Sequence, residues 1–132
     1  VHVLVQIGLV AFGSALGGLL RWGITVAFAR LFGTSYPWGT LFINVSGSLF
    51  LGWLMAVLAE RLPEDGWLRA ADLRLMIAVG FTGAYTTFST FEYETSQLIE
   101  NGDALKSLSY VVGSVALGLF AIRFGMMLAG KS

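Results

Sequence analysis

No cysteine occurs in the 132 residues, which excludes disulfides, thiolate nucleophiles and cysteine zinc sites. Histidine occurs once, as His2, and a single imidazole near the N-terminus builds neither a catalytic triad nor a metal cluster. Charge is scarce as well. Asp, Glu, Lys and Arg make up 12% of the chain, against about 25% in an ordinary soluble domain. Eight cations balance eight anions, so there is no basic field for nucleic acid and no acidic tail. The first cation is Arg21, and without a positive n-region a cleavable signal peptide is not expected. No nucleophile–base pair stands out, so an enzyme is the least expected class.

What the chain has in excess is apolar residues, 56% of the total, and they come in blocks. Crossing a bilayer core takes about 20 mostly apolar helical residues, and four segments qualify. Val3 to Leu20 is uncharged and continues past Arg21 to Phe28; the others are Trp38 to Ala59, Leu75 to Ile99 and Leu108 to Leu128. The expected fold is therefore an all-α membrane protein, residues 1–132 forming a single four-helix transmembrane domain with spans near 3–28, 38–59, 75–99 and 108–128. Turn and charged residues fill the connections, and Pro63-Glu64-Asp65-Gly66 reads as a tight solvent turn. None of the connections is long enough for a soluble domain, which confines function to the bundle.

Glycine is abundant, at 17 residues. Gly13 and Gly17 form a GxxxG pair, with Ser14 and Gly18 a second small pair beside it. Small residues let membrane helices approach closely, either within one subunit or along a dimer seam. Four spans would place both termini and the second loop on one side, with Arg61, Arg69, Arg74 and Lys131, and Arg123 close by. Arg21, Arg30 and Lys106 lie toward the other side. Lys/Arg bias sets orientation, and this bias is weak: either the charge placement is loose or the chain inserts both ways.

Polar residues within spans carry the most information, because each is unfavourable in lipid unless satisfied. The second span holds Thr40, Asn44, Ser46 and Ser48. Asn44 lies about 9 Å along it at about 1.5 Å per residue, and its amide offers two N–H donors and an acceptor. That amide could be interhelical glue or part of an anion path. The third span reads Gly80-Phe81-Thr82-Gly83-Ala84-Tyr85-Thr86-Thr87-Phe88-Ser89-Thr90-Phe91-Glu92-Tyr93-Glu94. Glycines and β-branched threonines lower helix propensity, so a break is expected between Gly80 and Thr87. Irregular backbone at membrane depth persists only when buried in protein or lining an aqueous cavity, and carbonyls freed at such breaks coordinate Na⁺. Phe88 and Phe91, three apart, share a helix face. A phenyl ring has a negative face and a positive edge, so two edge-on rings beside Asn44 and hydroxyl donors suit a small anion; a core stripe is the plainer alternative.

At these residues the chain resembles the Fluc (CrcB) family of fluoride channels. The matching pieces are Gly17-Gly18-Leu19-Leu20-Arg21-Trp22, Gly39-Thr40-Leu41-Phe42-Ile43-Asn44-Val45-Ser46-Gly47, and Gly80-Phe81-Thr82-Gly83 running into Thr86-Thr87-Phe88-Ser89-Thr90-Phe91 and Glu94. The resemblance implies an antiparallel, dual-topology homodimer in the bacterial inner membrane, with two fluoride pores and a structural Na⁺ at the dimer centre. It implies pore roles for Asn44, Phe88 and Phe91, a polar track including Ser89, an entrance position for Arg21, and polar pore groups at Thr40, Tyr110 and Ser114. The Na⁺ would rest on the backbone carbonyls of Gly83 and Thr86. Two departures from the family pattern stand out: Glu92 where a serine is common, and Gly118 and Ile122 in place of hydroxyl residues. A carboxylate beside an anion path must be protonated, neutralised by a cation, or turned away.

The function that follows is passive fluoride export giving fluoride resistance, by a channel and not an enzyme. An alternative is a small dual-topology drug/proton antiporter, but those need a membrane carboxylate, usually in the first span, and this first span has none. A non-transporting packing subunit of a larger complex is a third reading.

Overall fold

The computed structural model describes residues 2–62 and 69–130, which are helical with short connections and contain no strand. The Pro63–Gly66 turn expected above lies outside them. Helix α1 runs His2–Phe32, four residues beyond the expected span, because nothing interrupts it before Gly33. There the backbone turns left-handed (φ 74°), a conformation that glycine adopts without strain, and the Gly33 N–H donates to the Ala29 carbonyl at 3.0 Å. Helix α2 covers Trp38–Arg61. A segmented stretch follows: α3 (Ala70–Leu73), a π-helical turn sequence Arg74–Thr82, α4 (Gly83–Tyr85) and α5 (Phe88–Glu100). Gly102, also left-handed at φ 77°, ends α5. Helix α6 then starts at Ala104, earlier than the expected 108, since the Asp103 carbonyl already accepts from the Ser107 N–H at 2.9 Å.

Among the described residues, three helices are long and apolar enough to cross a membrane: α1 with 31 residues, α2 with 24 and α6 with 25. The distribution of side chains fits a lipid surround. Large apolar groups such as Leu4, Trp22, Leu31, Leu105 and Phe120 point outward, whereas the buried positions are often small: Gly13 and Gly17 in α1, Gly47, Gly52 and Ala56 in α2, Ala121 and Gly125 in α6. This is a multi-pass membrane protein.

Glycine sets the helix pairing. Helix α1 packs along the π-helical stretch, and α2 along α6. A Cβ on Gly13 would collide with the Met76 carbonyl oxygen, and one on Gly17 with that of Phe81. The GxxxG pair thus serves packing within the chain, while Gly18 faces open space. Gly52 and Gly125 play the same part between α2 and α6, against the backbones of Ile122 and Leu49.

The break in the third segment is narrower than the 80–87 window that composition suggests. Gly83 itself is right-handed helical (φ −62°, ψ −36°), and Gly80 lies against the α1 backbone at Val10 and Gly13, so neither glycine ends the helix. Extended backbone is confined to Thr86 (φ −80°, ψ 158°) and Thr87 (φ −150°, ψ 116°). Upstream, the wider π-helical winding has its own satisfaction: the Thr82 hydroxyl donates to the Ile77 carbonyl five residues back at 3.0 Å. Such windings concentrate at functional sites.

Candidate functional site: a donor-lined cavity at the helix break

The two extended residues are held from both sides. The Thr86 N–H and hydroxyl both donate to the Thr82 carbonyl, at 3.0 and 2.9 Å. Thr87 caps α5: its hydroxyl oxygen accepts from the Thr90 N–H at 3.3 Å and donates to the Thr90 hydroxyl at 2.9 Å. Across the bundle, Asn44 of α2 clasps the Thr87 backbone. Its Oδ1 accepts from the Thr87 N–H at 2.8 Å and its Nδ2 donates to the Thr87 carbonyl at 3.0 Å. Asn44 is therefore glue and more, because one amide hydrogen carries no described partner.

That amide lines a cavity of about 280 Å³ together with Ser48, Thr82, Thr86, Thr87, Phe88, Phe91 and Ser114, among others. The Ser114 hydroxyl is buried and has no hydrogen-bond partner among the described residues. The N-terminus of α5 opens at the same place, and the first N–H groups of a helix favour negative charge. Donors and a partial positive field converge here, with no carboxylate in the cavity wall.

Phe88 and Phe91 stand 5.9 Å apart between centroids, with their planes at 43°. Phe91 rests on Tyr110 at 5.1 Å; Phe88 is 70% exposed. Both rings also line a second cavity, of about 310 Å³, with Glu92, Thr95, Ser96, Ile99 and Val111. The ring pair is the wall that the two cavities share.

Of the residues expected to form a pore, the structure brings Asn44, Phe88, Phe91 and Ser114 together. It leaves Thr40, Ser89, Tyr110 and Arg21 outside that cavity. Thr40 is buried and donates to a Glu94 carboxylate oxygen, which removes its hydroxyl hydrogen from any anion. Tyr110 is fully buried behind Phe91, its hydroxyl without a partner among the described residues. Ser89 is exposed. Arg21 donates its Nε to the Ala84 carbonyl at 2.9 Å, so it sits on the break beside Gly83. Ser48, Thr82 and Thr87 were not assigned from sequence; the signal was present for Ser48, a hydroxyl one turn beyond Asn44. It also compensates a departure in α6, where the open flank of Gly118 faces the Ser48 hydroxyl. The Ile122 backbone packs on Gly52.

Among the described residues no three His, Cys, Asp or Glu side chains converge, so a cation here would rest on backbone or hydroxyl oxygen. The break supplies such oxygens. Thr87 N–H is turned to Asn44 and Thr90 N–H to the Thr87 hydroxyl, which removes the usual i+4 donors from the carbonyls of Gly83 and Thr86. Neither carbonyl accepts a described hydrogen bond, whereas that of Ala84 is occupied by Arg21. The donor set fits a hard monovalent cation.

The family model described as CrcB-like protein, Camphor Resistance (CrcB), matches residues 8–126. A protein of Thermus thermophilus named fluoride-specific ion channel FluC is 43% identical over 122 residues, which is 92% of this chain and 93% of that one. Proteins of the same name from Nitrobacter winogradskyi and Chloroflexus aurantiacus are 40% identical over 119 residues and 41% over 117, covering 90% and 89% of each chain respectively. The family match runs through α2, α5 and α6, which frame the cavity, and through the break itself, and the chain belongs to the CrcB family.

Proposed function

We propose that this chain is a fluoride-selective channel, not an enzyme, and that it gives passive fluoride export. One observation carries the reading: in a chain of this family, Asn44, Ser114 and the ring pair Phe88–Phe91 line a single cavity at the N-terminus of α5. Fluoride is strongly hydrated, so a pore must replace its water with donors and positive ring edges while binding weakly enough to release it. The cavity offers an amide hydrogen and helix N–H groups on one side of the rings, with the unpartnered Ser114 hydroxyl buried beside it. Hydrogen fluoride enters cells exposed to weak acid and dissociates inside, so an open path for the anion suffices for resistance. The antiporter reading finds no support in the family or in α1, which has no carboxylate.

The segmented stretch from Ala70 to Glu100 serves as the fourth crossing, making residues 1–132 one four-helix domain. The working unit is an antiparallel, dual-topology homodimer in the bacterial inner membrane, with two pores. The carbonyls of Gly83 and Thr86 hold a structural Na⁺ at the dimer centre, where a second copy supplies the same two oxygens that one chain alone presents. Gly83 is exposed, as such sharing requires.

The test is efflux from liposomes holding the purified protein, read with a fluoride electrode. Fluoride should leave and chloride stay; equal rates for the two anions, or no flux, refute the channel reading. A tag appended after Ser132 should be reachable from both faces of the membrane, and protection of all copies on one face refutes dual insertion.

A further inference from the structure

The second cavity along the ring pair holds a charge that the proposed function does not use. Glu92 lies four residues past Phe88, about 6 Å along α5 at about 1.5 Å per residue. It is exposed on the wall that it shares with Phe88, Phe91, Thr95, Ser96, Ile99 and Val111. It is not turned away from the rings, and no cation of the described chain neutralises it: the ion pairs there are Arg69–Asp72 and Lys106–Asp103. A bare carboxylate facing lipid is unfavourable, which favours water in this cavity. We infer that Glu92 makes fluoride passage through this chain acid-activated: charged, it repels the anion leaving the rings, and protonated, it donates to it.

The two sides of the ring pair differ in donors. On the Asn44 side there are several. On the Glu92 side the Thr95 hydroxyl is turned to the Phe91 carbonyl at 2.7 Å, and Ser96 is the remaining hydroxyl. A protonated carboxyl is an O–H donor, and an ionised one only accepts. Protonation of Glu92 therefore removes a repulsion and completes a donor set in one step. The elements packed on α5 bring no competing charge to this cavity. In α6, Lys106 is turned to Asp103, Tyr110 is buried behind Phe91, and Arg123 lies more than three turns further on. In α2 the charges are Glu60 and Arg61, at its far end. On α5 itself, Glu94 points to Thr40, Tyr93 is exposed to the outside and Glu100 ends the helix.

This inference rests on the fluoride-channel reading, and one experiment separates them. Efflux from liposomes is measured as pH is lowered stepwise, with the leak of protein-free vesicles subtracted at each pH. Wild-type flux should rise on acidification by about tenfold, the change that ~1.4 kcal/mol of barrier makes. Glu92→Gln, neutral and still a donor, should conduct at neutral pH like the acidified wild type and stay flat. Glu92→Asp should keep the acid dependence, which shows that charge and not packing is read. A Gln variant with the wild-type pH profile overturns the inference and leaves the channel reading standing; so does a pH profile flattened by Glu94→Gln instead. Loss of dimer in Glu92→Gln overturns it too, by making Glu92 half of an ion pair between copies. Absence of fluoride flux from every variant at every pH overturns both.

Discussion

Asn44 holds Thr87 by both edges of its backbone, accepting from the N–H at 2.8 Å and donating to the carbonyl at 3.0 Å. A side-chain amide here does what a neighbouring strand would do for an extended residue. It lets the helix stop and restart across Thr86 and Thr87 without leaving the Thr87 peptide groups bare in an apolar surround. The same clasp points α5 at the cavity and keeps the remaining Asn44 hydrogen available.

Replacing Asn44 with Ala should therefore act on stability and flux together. Leaving a buried donor or acceptor unpaired costs about 1–3 kcal/mol, and Thr87 would have one of each. Thermal denaturation in detergent should show a lowered midpoint, and fluoride efflux should fall by more than the loss of folded protein explains. An Asn44→Ala protein as stable as wild type would mean that water takes over the clasp.

How much of this was legible beforehand differs from residue to residue. The long crossings α1, α2 and α6 were, since apolar length alone marks them, and the break was, since Thr86-Thr87 between two helical runs is poor helix sequence. Its width was not: Gly80 and Gly83 read as breakers, yet both stay helical, and Gly80 does so with its bare flank pressed against the α1 backbone at Val10 and Gly13. Asn44 was legible as an important amide, but its partner lay 43 residues away, beyond any local pattern. Thr40 and Tyr110 carry pore roles only through the resemblance; the structure buries Thr40 against Glu94 and Tyr110 behind Phe91, side-chain directions that follow from packing and that periodicity resolves poorly in helices apolar all round.

The glycine contacts give a test with an internal control. Gly17→Ala places a methyl group against the Phe81 backbone, whereas Gly18→Ala meets nothing within 4 Å. Overpacking typically costs about 1–3 kcal/mol, and a backbone neighbour cannot swing aside as a side chain does. Gly17→Ala should lower the yield of monodisperse protein and its melting midpoint; Gly18→Ala should leave folding intact. Equal behaviour of the two would remove the close α1 approach from the account.

For the cation, the expectation concerns assembly. Preparing the protein in thoroughly Na⁺-free buffer, with a large organic cation in its place, should weaken the dimer or lower its flux, and restoring Na⁺ should reverse the change. Cross-linking yield reads the first effect independently of the second. If both are insensitive to Na⁺, the carbonyls of Gly83 and Thr86 are satisfied by water or by the partner's donors.

The ring pair tests the chemistry most directly, because its two members differ in packing. Phe88 is 70% exposed, while Phe91 lies against Tyr110. Substituting Ile keeps an apolar body and removes the positive ring edge, which separates the two contributions. Folding should barely notice Phe88→Ile and should lose about 1–3 kcal/mol in Phe91→Ile, the usual range for a shape change in a packed site. Fluoride flux should nonetheless fall steeply in both, since each ~1.4 kcal/mol added to the barrier slows passage about tenfold. Met should lie between Phe and Ile at either position, its polarisable sulfur adapting where a branched chain does not. The informative case is Phe88: a large loss of flux with an unchanged melting midpoint assigns the ring to the anion. Wild-type conduction from dimeric Phe88→Ile and Phe91→Ile proteins would instead make both rings ordinary packing and send the path elsewhere.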